Sequence, residues 1–190
     1  PHRSPASFPM TDTTALDSFL DKWRARWPEW SVAEVFVPLD QRERSVAWFS
    51  LLQEFDDILN IAGDPLPADA KLAWWGEELR SWEGRRSRHP LGRLLEPVRA
   101  PWTQLAEALP ALAQARGAAP DAAAAHRALD GYAAAVAAVE APLSGGAQRA
   151  GAADAVRVQT LAQRLYDAGV AAVPRSLLDA ADGDPVQRWA

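Results

Sequence analysis

Residues 40–62 read DQRERSVAWFSLLQEFDDILNIA and show the periodicity of an amphipathic helix. At 3.6 residues per turn, one face is apolar and consists of Trp48, Leu51, Leu52, Phe55, Ile58, Leu59 and Ala62. The opposite side carries Gln53, Asp56, Asp57 and Asn60 within an arc of roughly 100°. Val46 and Phe49 continue that side toward the N-terminus. We predict a long helix, capped by Asp40, whose acidic residues face an apolar-lined cavity.

Helical periods recur on both sides of this stretch, separated by proline and glycine signals. The further helices we predict run from Thr13 or Thr14 to Trp27, over 68–84, from Pro90, from Pro101 to about Arg116, over 121–139 and over 154–168. Val158, Leu161 and Leu165 form the predicted spine of the last one. Strand signals are almost absent, because no hairpin dipeptide separates alternating apolar runs. The pattern predicts an all-α fold of six to eight helices.

The composition fits a single globular domain over residues 10–190. The chain has 190 residues, a net charge of −5, nine tryptophans and no cysteine. An acidic chain is not typical of nucleic-acid binders, and the absence of cysteine excludes disulfides and thiolate chemistry. His2, His89 and His126 are too scattered to suggest a metal cage. No signal peptide or apolar run of about 18 residues is present, so we expect a cytoplasmic protein without a transmembrane segment.

The two ends of the chain carry separate predictions. Residues 1–9 contain proline and serine without periodicity and are predicted to be a disordered leader. Asp184-Pro185 is a typical helix start, yet only five residues follow it. A helix that short is unstable alone. We expect either that the natural chain continues or that this protein lacks C-terminal helices that its relatives keep.

The acidic residues of the long helix are candidate metal ligands. Asp56, Asp57 and Asn60, at positions i, i+1 and i+4, can present oxygen atoms to one cation. Mg²⁺ needs only one or two protein carboxylates when substrate phosphates supply the remaining ligands. The alternative interpretation is an ordinary solvated helix face, because short acidic motifs often occur without function.

The surrounding motifs resemble the squalene/phytoene synthase family from about residue 42 to residue 95. The resemblance is carried by KLAWWGEEL at 71–79, HPLGRLL at 89–95, and Asp56-Asp57-Ile58-Leu59-Asn60, which stands where the family keeps its first aspartate-rich motif. It implies an isoprenoid-synthase helical bundle and the Mg²⁺-dependent condensation of two prenyl diphosphates with release of pyrophosphate. Asp56 and Asp57 would be the catalytic residues. The implied metal ligands are Asp56, Asp57, Asn60 and Asp167, and the implied substrate contacts are Asn60, Gln53, Gln163 and Tyr166.

The chain departs from the family pattern at several positions. Asn60 replaces the last aspartate of the first motif, and Gln53 and Glu54 stand where an arginine is usual. The best counterpart of the second motif is TLAQRLYD at 160–167, in which Tyr166 replaces an arginine. Ala171 stands where a further aspartate is expected. Fewer carboxylates predict weaker metal binding.

Two hypotheses follow from this partial match. The first is a prenyltransferase that acts on farnesyl or geranylgeranyl diphosphate. The second is a non-catalytic relative that keeps the fold to bind an isoprenoid lipid or a protein partner, as an assembly factor would. Either is compatible with peripheral contact to a membrane. The arginines at 80, 85, 86, 88, 93 and 99 are interpreted as a solvated surface, the alternative being a contact to a diphosphate or an acidic partner. Trp74, Trp75 and Trp82 are interpreted as core residues, and His89 as a loop hydrogen-bonder.

Overall fold

The computed structural model describes residues 11–182, and side chains from residue 14 to residue 181. Within that range the chain is helical and contains no strand, which confirms the all-α prediction. The helices are α1 (Thr11–Arg26), α2 (Trp30–Ala33), α3 (Leu39–Leu59), α4 (Leu66–Glu83), α5 (Gly92–Leu95), α6 (Trp102–Ala108), α7 (Pro110–Gln114), α8 (Ala122–Ala128), α9 (Asp130–Leu143), α10 (Ala152–Ala168) and α11 (Arg175–Asp182). Glu34–Phe36 and Gly169–Ala172 are short 3₁₀ helices.

The longest helix, α3, is close to its predicted bounds but begins differently. Pro38 occupies the N-cap position, so Asp40 is not the cap and lies in the first turn. A carboxylate there still favours the helix, because the N-terminal end of the helix dipole is positive. The helix ends at Leu59, one turn before the predicted end, and Asn60 is its C-cap.

Two predicted helices are each divided in two. The stretch that follows Pro101 forms α6 and α7, with Leu109 and Pro110 at the junction. Proline has no N–H to donate into the preceding turn and so interrupts the hydrogen-bond ladder. The Ala-rich segment forms α8 and α9, divided at Leu129. The Asp121 side chain caps α8 by accepting the Ala124 N–H at 2.7 Å.

Large aromatic side chains form the centre of the bundle. Phe55, Trp75, Trp82, Trp102 and Tyr132 are each at most 2% exposed. Trp82 and Trp102 meet edge to face, with ring centroids 4.9 Å apart, and so join α4 to α6. The interpretation of Trp75 and Trp82 as core residues is confirmed, whereas the ring of Trp74 is 39% exposed.

A buried carboxylate holds the loop that connects α4 to α5. Glu78 is fully buried and accepts the backbone N–H groups of Arg88 at 2.7 Å and His89 at 2.8 Å. It also accepts from the Trp82 indole at 2.9 Å and the Arg88 guanidinium at 3.1 Å. Burial raises the pKa of Glu78, but these hydrogen bonds outweigh it and leave the pKa below its ordinary value. Glu78 is therefore a structural anchor.

The structure of this loop confirms the interpretation of His89 as a hydrogen-bonding loop residue and of the arginines as solvent-exposed. His89 accepts the Leu91 N–H on Nδ1, and its ring packs against Phe19 and Trp75. Arg80, Arg85, Arg86, Arg88, Arg93 and Arg99 are all exposed. Gly92 passes so close to Ser87 that any larger residue would collide with the Ser87 side chain. The loop is thus a packed, solvent-facing turn.

The predicted spine of α10 is wrong. Val158 and Leu165 are 55% and 46% exposed, whereas Thr160 and Arg164 are buried and Leu161 is half-buried. The buried face is rotated from the apolar spine because polar side chains of α10 make the contacts to the end of α3.

Among the described residues, no helix is both long and apolar enough to cross a membrane. The predicted leader and the Asp184-Pro185 helix start lie outside the described residues.

Candidate functional site

An open cleft of about 520 Å³ lies between α1, α3, α9 and α10. Its volume is within the usual range of small-molecule sites. Most of its wall is aromatic or aliphatic, and the lining residues are Trp23, Trp27, Phe49, Leu52, Gln53, Asp56, Tyr132, Val136, Glu140, Ala155, Val156, Gln159, Thr160 and Gln163. Gln53 and Asp56, from the polar side of α3, thus face an apolar-lined cavity as predicted, whereas Asp57 and Asn60 do not line it.

Asp56 is the acidic residue of α3 that reaches this cleft. The pKa of its carboxyl group is raised to about 7, mainly because the group is buried. The nearby carboxylates of Asp57 and Asp167 also raise this pKa, and the Arg26 cation lowers it by a smaller amount. The Asp56 carboxyl group therefore keeps its proton to a higher pH than an ordinary aspartate does. No hydrogen bond or ion pair engages its side chain within the described part of the molecule.

Asp57 belongs instead to a network that fastens α1 to α3. Arg26 donates to both carboxylate oxygens of Asp57, at 3.0 and 3.2 Å. Gln53 donates to Asp57 Oδ1 at 3.0 Å and accepts from the Trp27 indole N–H at 3.0 Å. Two predicted site residues, Gln53 and Asp57, are thus engaged in holding the α1 wall of the cleft.

Asn60 and Asp167 meet where α3 ends. The Asn60 amide donates to the Asp56 carbonyl at 3.0 Å and to Asp167 Oδ2 at 3.4 Å. Gln163 donates to the same Asp167 oxygen at 3.0 Å. The two predicted motifs therefore lie side by side, and Asn60 bridges them through hydrogen bonds.

Two arginines, neither of them predicted as a site residue, close the C-terminal end of α3. Arg164 donates to the Leu59 carbonyl and to Asn60 Oδ1, both at 3.3 Å, and also to the Arg116 carbonyl. Arg116 donates to the Ile58 carbonyl at 3.1 Å. These carbonyls have no partner within the helix, and cations are favourable at the negative end of its dipole. Burial and the neighbouring Arg116 lower the pKa of Arg164.

The predicted site residues divide into three groups. Gln53, Asp56 and Gln163 line the cleft. Asp57, Asn60 and Asp167 lie beside it and are engaged by internal hydrogen bonds. Tyr166 is 85% exposed and is not part of the cleft wall.

The arrangement does not fit a bound metal as it stands. Within residues 11–182, no three His, Cys, Asp or Glu side chains lie close enough together to hold a metal ion. Asp57 is occupied by Arg26, and Asn60 Oδ1 accepts from Arg164. Oxygen ligands for Mg²⁺ would have to exchange these partners first.

Sequence reasoning missed the contribution of α9 to the cleft. Tyr132, Val136 and Glu140 lie four residues apart on one helical face, and that spacing is the signal that could have identified them. Burial raises the pKa of Glu140, although its carboxylate accepts the Trp48 indole N–H at 3.2 Å. Burial, with the nearby Asp56 and Glu140, raises the pKa of Tyr132 well above its ordinary value.

A second cavity of about 520 Å³ adjoins the cleft, and Phe49 and Glu140 line both. Its other wall comes from residues 36–38 and from the loop after α9.

Comparison with profiles of known protein families, with curated proteins and with solved structures finds no match to this chain.

Proposed function

We propose that this chain is a squalene/phytoene synthase-like protein that binds an isoprenoid lipid without metal and without turnover. The supporting observation is the cleft, whose aromatic and aliphatic wall suits a branched hydrocarbon chain. The internal pairing of Asp57, Asn60 and Asp167 also supports it, because these groups already have hydrogen-bond partners. The motifs at 71–79 and 89–95 supply the isoprenoid class by resemblance.

The proposal is tested by titrating the full chain with farnesol in the presence of EDTA, followed by tryptophan fluorescence and native mass spectrometry. We expect saturable binding of one molecule. Ala155→Trp places a large ring in the cleft wall and should abolish binding. Ala162→Trp is the matched control, because Ala162 lies on the same helix and is exposed, outside the cleft wall. Equal binding by both variants would contradict the proposal.

A Mg²⁺-dependent prenyltransferase is the second candidate. The contact between Asn60 and Asp167 favours it, because it brings α3 and α10 together at their acidic residues. Asp167 is also close enough to raise the pKa of Asp56. This candidate predicts Mg²⁺-dependent release of pyrophosphate from farnesyl or geranylgeranyl diphosphate, and a loss of that release in Asp56→Ala. No release at high enzyme concentration excludes it and leaves the binding proposal standing.

A further inference from the structure

The cleft has two carboxyl groups and no basic side chain in its wall. Among its fourteen lining residues, Asp56 and Glu140 carry carboxyl groups, and none is Arg, Lys or His. An anionic head group would meet two acids and no positive charge there. Burying a charge without a partner is costly, so this wall disfavours a phosphate or diphosphate that arrives alone.

Neither carboxyl group has a cation of its own within the described residues. Arg26, whose charge lowers the pKa of Asp56, is paired with Asp57. Among the described residues, the Glu140 carboxylate accepts only the Trp48 indole N–H. Arg44 and Arg149 line the neighbouring cavity but form no ion pair with Glu140. Both carboxyl groups are therefore available to a positive charge that enters from outside.

Aromatic rings line the same cleft as these two carboxyl groups. Trp23, Trp27, Phe49 and Tyr132 all contribute to the wall, and Trp23 and Phe49 stack with centroids 5.6 Å apart. The faces of aromatic rings attract cations, and cages of such rings are a known way of recognising alkylammonium groups. Carboxyl groups and ring faces thus favour the same sign of ligand charge.

We infer that the ligand of the cleft is a cationic lipid, with an ammonium group placed beside Asp56 and an apolar chain along the aromatic wall. The inference rests on the proposed lipid-binding function and specifies its head group. An ammonium group supplies the partner that Asp56 lacks, and its hydrogen bonds to a carboxylate are of the strong, charge-assisted kind.

The experiment compares farnesylamine, farnesol and farnesyl phosphate as ligands of the full chain at pH 8, measured by calorimetry. A primary amine is protonated at this pH, since its pKa resembles that of lysine, about 10.4. We expect farnesylamine to bind about tenfold tighter than farnesol, as is typical of one charged hydrogen bond. Farnesyl phosphate should bind more weakly than farnesol.

Variants distinguish binding of the amine in the cleft from a general attraction of the amine to an acidic protein. Asp56→Asn should remove the advantage of farnesylamine, measured as the ratio of the dissociation constants of farnesol and farnesylamine. Asp21→Asn removes the same charge from an exposed position on α1 and should retain the advantage. Glu140→Gln preserves the acceptor for Trp48 and reports whether the second carboxyl group contributes.

The outcomes distinguish this inference from the function on which it rests. If farnesol binds as tightly as farnesylamine, or farnesyl phosphate binds tightest, the cationic head group is wrong and the lipid-binding function stands. The inference is equally wrong if the advantage survives in Asp56→Asn, because the ammonium group would then not lie beside Asp56. If none of the three ligands binds, the proposed function fails as well.

Discussion

The carboxyl group of Asp56 faces an apolar cleft next to two other acids, which makes ionisation unfavourable. Burial is the largest cause of its raised pKa, ahead of the repulsion from Asp57 and Asp167, while Arg26 opposes the shift. Because the folded pKa of about 7 exceeds the reference value of 3.8, the native state binds more protons than the unfolded state between these values. The contribution of Asp56 to stability is complete below pH 3.8 and is lost as the pH rises through 7.

Asp56→Asn mimics the protonated carboxyl group at every pH. We expect the free energy of unfolding of this variant, relative to wild type, to increase by about 2 kcal/mol between pH 5 and pH 8, after allowance for partial solvent contact. Urea denaturation at the two pH values measures the change. Asp21→Asn, with an exposed carboxylate, should show no such dependence. A pH-independent difference for Asp56→Asn would show that its pKa is not raised.

Glu78 is the opposite kind of buried acid, because it is surrounded by donors. Glu78→Leu keeps the volume but leaves the N–H groups of Arg88 and His89 and the Trp82 indole unpaired. We expect a loss of about 3–5 kcal/mol in the free energy of unfolding, measured by urea denaturation. The neighbouring Glu77→Gln is the control, because the Glu77 side chain is 75% exposed and its loss should cost less than about 0.5 kcal/mol. Equal effects would refute the anchoring role.

At the scale of a single element, the position of α3 depends on its C-terminal cap. Arg164 contacts the Leu59 carbonyl and the Asn60 amide from α10, so its removal frees the last turn of α3. Arg164→Met keeps much of the packing of the side chain. We expect it to cost about 2–3 kcal/mol and to accelerate hydrogen exchange in the last turn of α3. Arg24→Met removes a partly exposed arginine and should do neither.

The positions of the helices could be predicted from the sequence, whereas the face that each helix buries could not always be predicted. The 3.6-residue period, with proline and glycine stops, placed the ends of α1 and α4 within about two residues, because these signals are local. The buried face of α10 depends on where α3 ends, and that is a tertiary fact. Gln53, Asp56 and Gln163 were predicted to share a site, and all three line the cleft. Tyr132 and Glu140 line it too but were not predicted, because the position of α9 beside α3 also depends on tertiary packing.

A matched pair of substitutions tests the orientation of α10. Leu161 is half-buried and packs against the core, while Leu165 is 46% exposed. We expect Leu161→Ala to cost about 1–2 kcal/mol and Leu165→Ala less than about 0.5 kcal/mol, compared by thermal or urea unfolding. The two variants delete the same atoms from one helix, so the helix propensity changes equally. A larger effect at Leu165 would restore the spine predicted from the sequence.

At the scale of the whole molecule, two of the places where apolar groups are exposed could receive a lipid. One is the cleft between α1, α3, α9 and α10. The other is the surface of residues 32–39, where Val32, Val35, Phe36 and Leu39 are 62–86% exposed. Either could attract a lipid, because burial of apolar surface is favourable wherever it occurs. Of these two places, the cleft is the one that combines apolar surface with two carboxyl groups and an enclosing wall.

Hydrogen exchange with and without farnesylamine decides between the two places. A ligand that binds only the native state stabilises it by about 2.7 kcal/mol at roughly one hundred times its dissociation constant. We expect the added protection in the four helices around the cleft, α1, α3, α9 and α10. Protection should extend to α1 because the Trp27–Gln53 and Arg26–Asp57 contacts hold it against α3. Ala155→Trp should lose this protection. Slower exchange confined to residues 30–39 would instead place the lipid on the outer surface, and the cleft would then need another ligand.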